Sequence, residues 1–173
     1  IPFNFNSCKD LEDVVKKRAK ECAAIIMEPA RNTSACRYFL KEIRKIATKN
    51  NCILIFDEIT SGWRTNTGGI HLKMDVFPDL ATFGKTIANG VPMAALIGKK
   101  EIMEEAKNSF ISSTNWTERM GPACAIEYIK RHQKLNLGKI LISKGKKIRK
   151  IWIEAAKSAG ISYFGHSMYG FDC

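Results

Sequence analysis

The sequence predicts an α/β protein in which helices flank a mostly parallel sheet. Short apolar runs alternate with longer segments of helical periodicity, and an ionisable residue stands at or just after the end of three of the runs. Apolar runs without an internal alternation are typical of strands that are buried on both faces. With 173 residues, of which 45% are hydrophobic and 26% charged, the chain is long enough for an ordinary domain with a core.

Four segments have the composition and spacing of amphipathic helices. Ser7 is the candidate cap of the first, and Ser34 is the candidate cap of a second that carries apolar residues over 39–47. A third helix is predicted from Glu118 to about His132. A lysine-rich segment follows, in which basic and apolar residues alternate as they do along one helical stripe.

Four short apolar runs are predicted as strands, and polar residues follow three of them. The runs are 23–27, 52–56, 80–83 and 93–97. Glu28 and Asp57 come directly after the first two, and Lys85 follows the third after one glycine. In a parallel sheet the ligand lies beyond the carboxyl ends of the strands. We therefore expect Glu28, Asp57 and Lys85 to gather at one edge of the sheet.

The net charge of +11 leaves open a basic nucleic-acid-binding domain. Much of the excess lies in the lysine-rich segment, which favours the solvated face of an amphipathic helix, and no nucleic-acid motif accompanies it. The six cysteines and three histidines are scattered, which predicts a cytoplasmic protein without a metal site. No apolar run approaches the roughly 20 residues of a membrane span.

Asp57 and Lys85 are the two residues with the clearest chemical settings. A carboxylate after five apolar residues is partly buried and must be paired or hydrogen-bonded, so a helix cap or a structural ion pair with Arg31 or Arg64 is one interpretation of Asp57. Lys85 lies between glycines that permit close approach of a ligand, and a lysine in a restricted pocket can act as an amine nucleophile. A surface lysine is the simpler interpretation.

Three motifs occur in an order and spacing that resemble the class-III aminotransferases, which are pyridoxal-phosphate (PLP) enzymes of fold type I. The group includes glutamate-1-semialdehyde 2,1-aminomutase. The motifs are Ile26-Met27-Glu28-Pro29, the run from Phe56 to Arg64, and the run from Pro78 to Pro92. The resemblance implies that residues 1–135 are part of the PLP-binding large domain and that 136–173 begin a C-terminal small domain. Because family members are more than twice as long, the chain is expected to be an incomplete piece.

The resemblance implies roles for three residues at the cofactor ring. Lys85 corresponds to the lysine that forms the internal aldimine with PLP and later moves a proton between the substrate carbon and C4′ of the cofactor. Asp57 corresponds to the carboxylate that keeps the pyridine nitrogen protonated. Ile59 corresponds to an aliphatic residue that packs on the ring, and simple core packing is its alternative.

Two further residues are implied as cofactor contacts. Thr117 corresponds to a threonine that reaches across a dimer interface to the PLP phosphate of the neighbouring subunit, with an ordinary helix cap as the alternative. Glu28 corresponds to an acid near Asp57, and a structural hydrogen bond explains it equally well.

The resemblance therefore implies amino-group transfer from a small-molecule donor to a carbonyl acceptor in a cytoplasmic homodimer. Glutamate-1-semialdehyde aminomutase is the alternative enzyme. An inactive dimerisation remnant and a basic nucleic-acid-binding domain are the alternatives from other classes.

Overall fold

A computed structural model describes residues 1–18, 21–31, 34–115 and 117–162. Its architecture is the predicted alternation of strands and helices. The strands are β1 Ala24–Met27, β2 Ile53–Asp57, β3 Leu80–Phe83 and β4 Ala95–Gly98. The helices are α1 Cys8–Arg18, α2 Arg37–Lys49, α3 His71–Met74, α4 Lys100–Glu105, α5 Met120–Leu135 and α6 Leu137–Ser158.

The four strands form one sheet in the order β1-β2-β3-β4. The pairs β1–β2 and β2–β3 are parallel, and β4 runs antiparallel to β3. A parallel return needs a crossover of a dozen or more residues, and the short connection 84–94 instead suits an antiparallel neighbour. The sheet is thus mostly parallel, as predicted, with one antiparallel outer strand.

One face of β1 and β2 packs against α1 and α2 and forms the main core. Leu40, Ile43, Leu54 and Phe56 are 0% exposed in it. Helix α2 is capped by Cys36, whose Sγ accepts a hydrogen bond from the backbone N–H of Phe39. The prediction of Ser34 as this cap was therefore wrong, because the helix begins at Arg37 and a capping side chain must lie directly before it.

The opposite face of the sheet is only partly covered among the described residues: it is exposed on the outer strands β1 and β4 and half-buried on β2 and β3. Burial alternates along β1, where Ile25 is 4% and Ile26 60% exposed, and Leu96 on β4 is 43% exposed. The expectation that these strands are buried on both faces was wrong for the described chain, since helices cover one face.

A second cluster joins β3 to α5. Its buried members are Trp63, Ala81, Phe83, Ile87, Ala88 and Ala125. Helix α5 begins at Met120, two residues later than predicted, and ends before Asn136, whose φ of 49° separates it from α6. The lysine-rich segment forms α6, and in the described part of the chain no helix has the length and apolar character needed to cross a membrane.

Candidate active site

The carboxyl ends of the three parallel strands bring the predicted site residues to one edge of the sheet. Strand β2 ends at Asp57, which is the register partner of Thr82 on β3. Lys85 follows the end of β3 by two residues, and Glu28 directly follows the end of β1. The grouping expected from the strand order is therefore present.

Asp57 is half-buried and uses one carboxylate oxygen for bonds within the chain. Its Oδ1 accepts from the backbone N–H of Ile59 at 3.0 Å and from the hydroxyl of Thr82 at 3.3 Å. Among the described residues, Oδ2 has no hydrogen-bond partner and neither Arg31 nor Arg64 pairs with this carboxylate. The interpretation of Asp57 as half of a structural ion pair is thus not supported.

Lys85 is held in an uncommon backbone conformation at the start of a 3-10 turn. Its φ is 48°, in the left-handed region that disfavours residues with a Cβ and that is found repeatedly at functional sites. Its Nζ donates to the Thr60 hydroxyl at 2.8 Å, although the residue as a whole is exposed. The hydroxyl of the next residue, Thr86, donates to the carbonyl of Gly62 at 3.2 Å.

Glu58, the neighbour of Asp57, is a buried anchor that sequence reasoning missed. It is 1% exposed, and it accepts from the backbone N–H groups of Ile70 and His71, from His71 Nδ1 and from the Ser61 hydroxyl. Burial by itself raises the pKa of Glu58, but these hydrogen bonds outweigh it and hold the pKa below its ordinary value. Nothing in the spacing of residues 58 and 71 signals this pair.

Glycine at position 62 allows the loop after β2 to lie against β3. A Cβ there would come within 2.8 Å of both the Glu58 carbonyl oxygen and Phe83 Cδ1. The neighbouring Trp63 is held by His132, whose Nε2 lies 3.1 Å from the Trp63 carbonyl and whose Nδ1 lies 2.8 Å from the Thr67 hydroxyl. His132 is 1% exposed and has a structural role.

A cavity of about 660 Å³ opens beside this edge. Its lining includes Ile59 and Thr82, the two residues that donate to Asp57, together with parts of β4 and the segment 111–115. Thr117 is exposed and lies before Arg119, the N-cap residue of α5, which makes no side-chain capping bond. The alternative of Thr117 as an ordinary helix cap is therefore wrong.

Glu28 combines a satisfied and an unsatisfied oxygen. Its Oε1 accepts from Arg31 at 3.0 Å, which supports the structural interpretation. Its Oε2 is buried, and among the described residues it has no hydrogen-bond partner. A buried acceptor without a donor costs folding free energy, so this oxygen is available to a hydrogen-bond donor from outside the described chain.

The family model described as Aminotransferase class-III matches residues 4–159. The 3-aminobutyryl-CoA aminotransferase of Cloacimonas acidaminovorans is 34% identical over 152 residues, which cover 84% of this chain and 37% of that protein. The glutamate-1-semialdehyde 2,1-aminomutase of Methanobrevibacter smithii is 42% identical over 108 residues, which cover 60% of this chain and 25% of that protein.

Solved structures give the same fold. The structure of the PLP internal aldimine form of Sphingopyxis sp. MTA144 FumI matches with a TM-score of 0.86 and 24% identity, over 92% of this chain and 40% of that one. An omega-transaminase from Sphaerobacter thermophilus matches with a TM-score of 0.80 and 24% identity, over 93% of this chain and 40% of that one. The predicted fold class is confirmed, and the chain spans at most 40% of the length of these four proteins.

Proposed function

This chain belongs to the class-III aminotransferases, and on that premise we propose that it supplies part of an active site for amino-group transfer. Pyridoxal phosphate is the cofactor of this family, as the sequence motifs imply. The observation that carries the proposal is the position of Asp57 and Lys85 at one edge of the sheet, where Asp57 is the last residue of β2 and Lys85 follows the neighbouring parallel strand β3 by two residues.

The residues at this edge fit pyridoxal phosphate. Asp57 Oδ2 is available to accept a hydrogen bond from a protonated ring nitrogen, while Oδ1 is already fixed by Ile59 and Thr82. The adjoining cavity has the volume of a typical small-molecule site. The buried Oε2 of Glu28 is a second acceptor at the same edge.

Each residue is assigned a chemical task. Bound pyridoxal phosphate supplies an electron sink for the negative charge that develops on the substrate carbon. Asp57 keeps a proton on the ring nitrogen, and its two internal hydrogen bonds hold the carboxylate in a fixed orientation. Lys85 would hold the cofactor through its amine, and the same amine would take up and return the proton of the substrate carbon.

Three other residues complete the proposed cofactor site. Ile59 packs on one face of the ring, which agrees with its place in the cavity wall. Glu28 accepts a hydrogen bond at the edge of the site. Thr117, on an exposed segment, binds the PLP phosphate of a second subunit in a homodimer.

We further propose that residues 1–135 belong to the large domain and that the small domain begins at 136. The left-handed Asn136 between α5 and α6 supports a boundary at that point. The cytoplasm is the proposed location, in keeping with a substrate pair of a small amino donor and a carbonyl acceptor.

Glutamate-1-semialdehyde 2,1-aminomutase activity is the second candidate. Several relatives with that name are 38–42% identical to this chain over 104–109 residues. The two reactions differ in their substrate requirement, because the aminomutase moves an amino group within one molecule. Turnover of glutamate-1-semialdehyde without an added acceptor favours the aminomutase, and a strict need for separate donor and acceptor favours the aminotransferase.

Reductive labelling tests the proposed function. The protein is incubated with limiting pyridoxal phosphate, reduced with borohydride and digested, and the pyridoxyl group is located by mass spectrometry. We expect the label at Lys85, its loss in Lys85→Arg and its retention in Lys99→Arg, since Lys99 lies at the opposite end of β3 beside Asp79. Label spread evenly over surface lysines contradicts the proposal.

The same preparation distinguishes the non-enzymatic alternatives. Salt-dependent DNA binding without label at Lys85 supports a nucleic-acid-binding domain. Dimerisation without any uptake of the cofactor supports an inactive dimerisation remnant.

A further inference from the structure

We propose that Thr60 is a positioning residue for Lys85, and that its hydroxyl holds the lysine amine at the sheet edge when the amine is not bonded to the cofactor. The inference rests on the proposed function. It begins from the 2.8 Å hydrogen bond between Lys85 Nζ and Thr60 Oγ1. A lysine side chain has four rotatable carbon–carbon bonds, and one bond at its tip removes most of that freedom.

A hydroxyl is well suited to a lysine that alternates between two protonation states. Thr60 can accept a hydrogen bond from an ammonium group, and it can donate one to a neutral amine. A carboxylate in the same place would favour the charged form and withhold the lone pair that must attack or accept a proton. In the structure the hydrogen-bond partner of Lys85 Nζ is the neutral group, the Thr60 hydroxyl.

The backbone of Lys85 is tied to the same turn as its amine. The adjacent Thr86 donates to the carbonyl of Gly62, two residues after Thr60. The N–H of Ile87 donates to the Gly84 carbonyl and closes the 3-10 turn that fixes the left-handed Lys85 backbone. The lysine is therefore held at both ends by one short stretch of chain, residues 60–62.

Thr60 is itself fixed by its neighbours. The N–H of Gly62 donates to the Glu58 carbonyl at 2.8 Å, and Arg64 Nε donates to the Thr60 carbonyl at 3.4 Å. Glu58 is anchored in the interior by its four donors. Threonine is also β-branched, so that its χ1 angle is restricted and the direction of its hydroxyl is well defined.

The chemical consequence concerns the moment when substrate releases the lysine. A free amine that rests at one point reaches the substrate carbon more often than one that samples many rotamers. Loss of a single neutral hydrogen bond corresponds to about a 3- to 10-fold change in such a step. We expect a decrease of that size in the rate of the first half-reaction when the hydroxyl is removed.

The test compares Thr60→Val, which keeps the shape without the hydroxyl, with Thr60→Ser, which keeps the hydroxyl. The first readout is the ratio of pyridoxyl label at Lys85 to label at the exposed Lys9 after borohydride reduction. The second is the single-turnover rate of the half-reaction, measured with an amino donor that is unlabelled and with one that is deuterated at the α-carbon, so that the ratio of the two rates gives the isotope effect. Thr60→Val should lower both the ratio and the rate by about 3- to 10-fold and increase the isotope effect, and Thr60→Ser should restore them.

Thr60→Ala is the second variant without a hydroxyl, in case the added methyl group of valine disturbs the turn. Circular dichroism establishes that each variant is folded. Wild-type label at Lys85 with unchanged values in Thr60→Val and Thr60→Ala overturns the role of Thr60 alone. A wild-type protein without preferential label at Lys85 instead overturns the proposed function. Equal losses in Thr60→Ser and Thr60→Val also overturn the inference, because the hydroxyl then has no separate effect.

Discussion

His71 Nδ1 lies 2.8 Å from Oε1 of Glu58, a carboxylate that is 1% exposed. The pair joins the two ends of the segment 58–71, because the backbone N–H of His71 donates to the same carboxylate. Ile59 and Thr60 belong to this segment. The conformation of the candidate active site thus depends on an interior contact between residues 13 positions apart.

Replacing Glu58 by glutamine should destabilise the protein markedly. The amide has nearly the same size, but its NH₂ group faces the donors that the carboxylate satisfies, and a buried charge-assisted network loses its charge. We expect a loss of about 2–4 kcal/mol in the free energy of unfolding, measured with urea. Glu12→Gln, at the exposed Lys16 ion pair, is the control and should change stability by under about 1 kcal/mol. Equal effects of the two substitutions contradict this role for Glu58.

Asp79 should make stability depend on pH in acid. Burial by itself raises the pKa of Asp79, but hydrogen bonds from the Leu54 backbone N–H, Lys99 and Arg44 outweigh it and lower the pKa to about 2. Because the pKa is lower in the folded state, ionised Asp79 stabilises the protein at pH values above the ordinary aspartate pKa. This contribution, about 2 kcal/mol, is lost as the pH falls toward 2.

Urea titrations of wild type and Asp79→Asn at several pH values measure this effect. We expect a stability difference near pH 6 that narrows as the pH falls below about 4. Asp75→Asn is the matched control, because Asp75 is exposed and asparagine tolerates its left-handed backbone. A difference for Asp79→Asn that stays constant with pH is inconsistent with the lowered pKa.

Asp57→Asn should remove activity without unfolding the protein. Asparagine can still accept the bonds from Ile59 and Thr82, but it carries no negative charge to hold a proton on the ring nitrogen. We expect kcat for amino transfer to fall on the order of 100-fold or more. Asp13→Asn on the exposed side of α1 should leave kcat unchanged, and a similar kcat in both variants excludes the proposed role of Asp57.

Gly62→Ala and Gly84→Ala should differ in stability although both add one methyl group near the site. At position 62 the new Cβ would lie 2.8 Å from the Glu58 carbonyl oxygen, whereas at position 84 its nearest neighbour is Ile59 Cγ2 at 3.4 Å. We expect a cost of about 1–3 kcal/mol for Gly62→Ala and a clearly smaller cost for Gly84→Ala. Thermal unfolding of both variants measures it, and a reversed order would show that the turn relaxes around the added group.

The strand ends were predictable from sequence because each buried run stops at a polar residue. The runs before Asp57 and Lys85 predict strands, and parallel strands bring their carboxyl ends together. Helix α2 was predictable because burial on one side imposes a helical periodicity of apolar residues. Helix α6 has the same periodic pattern, although most of its apolar residues stay exposed in the described chain and Gly138 is its one buried residue. The fold class and the grouping at the sheet edge follow from these local patterns.

Contacts between distant residues were not predictable in this way. The hydrogen bonds from Lys85 to Thr60 and from His71 to Glu58 depend on the path of the loop after β2, and loops leave no periodic pattern in the sequence. The cap of α2 was misassigned because cysteine is not among the usual capping residues. The exposed face of β1 was not predicted because a strand of apolar residues has the same sequence pattern whether helices cover one of its faces or both.

The uncovered apolar surface around Ile26 and Leu96 has a practical consequence for anyone who handles the chain by itself. Exposed apolar surface and edge strands with unpaired backbone groups both promote aggregation. Aggregation should therefore increase steeply with protein concentration, and light scattering measures it. Ammonium sulfate should bring the onset of turbidity to lower concentration, because it strengthens attraction between apolar surfaces.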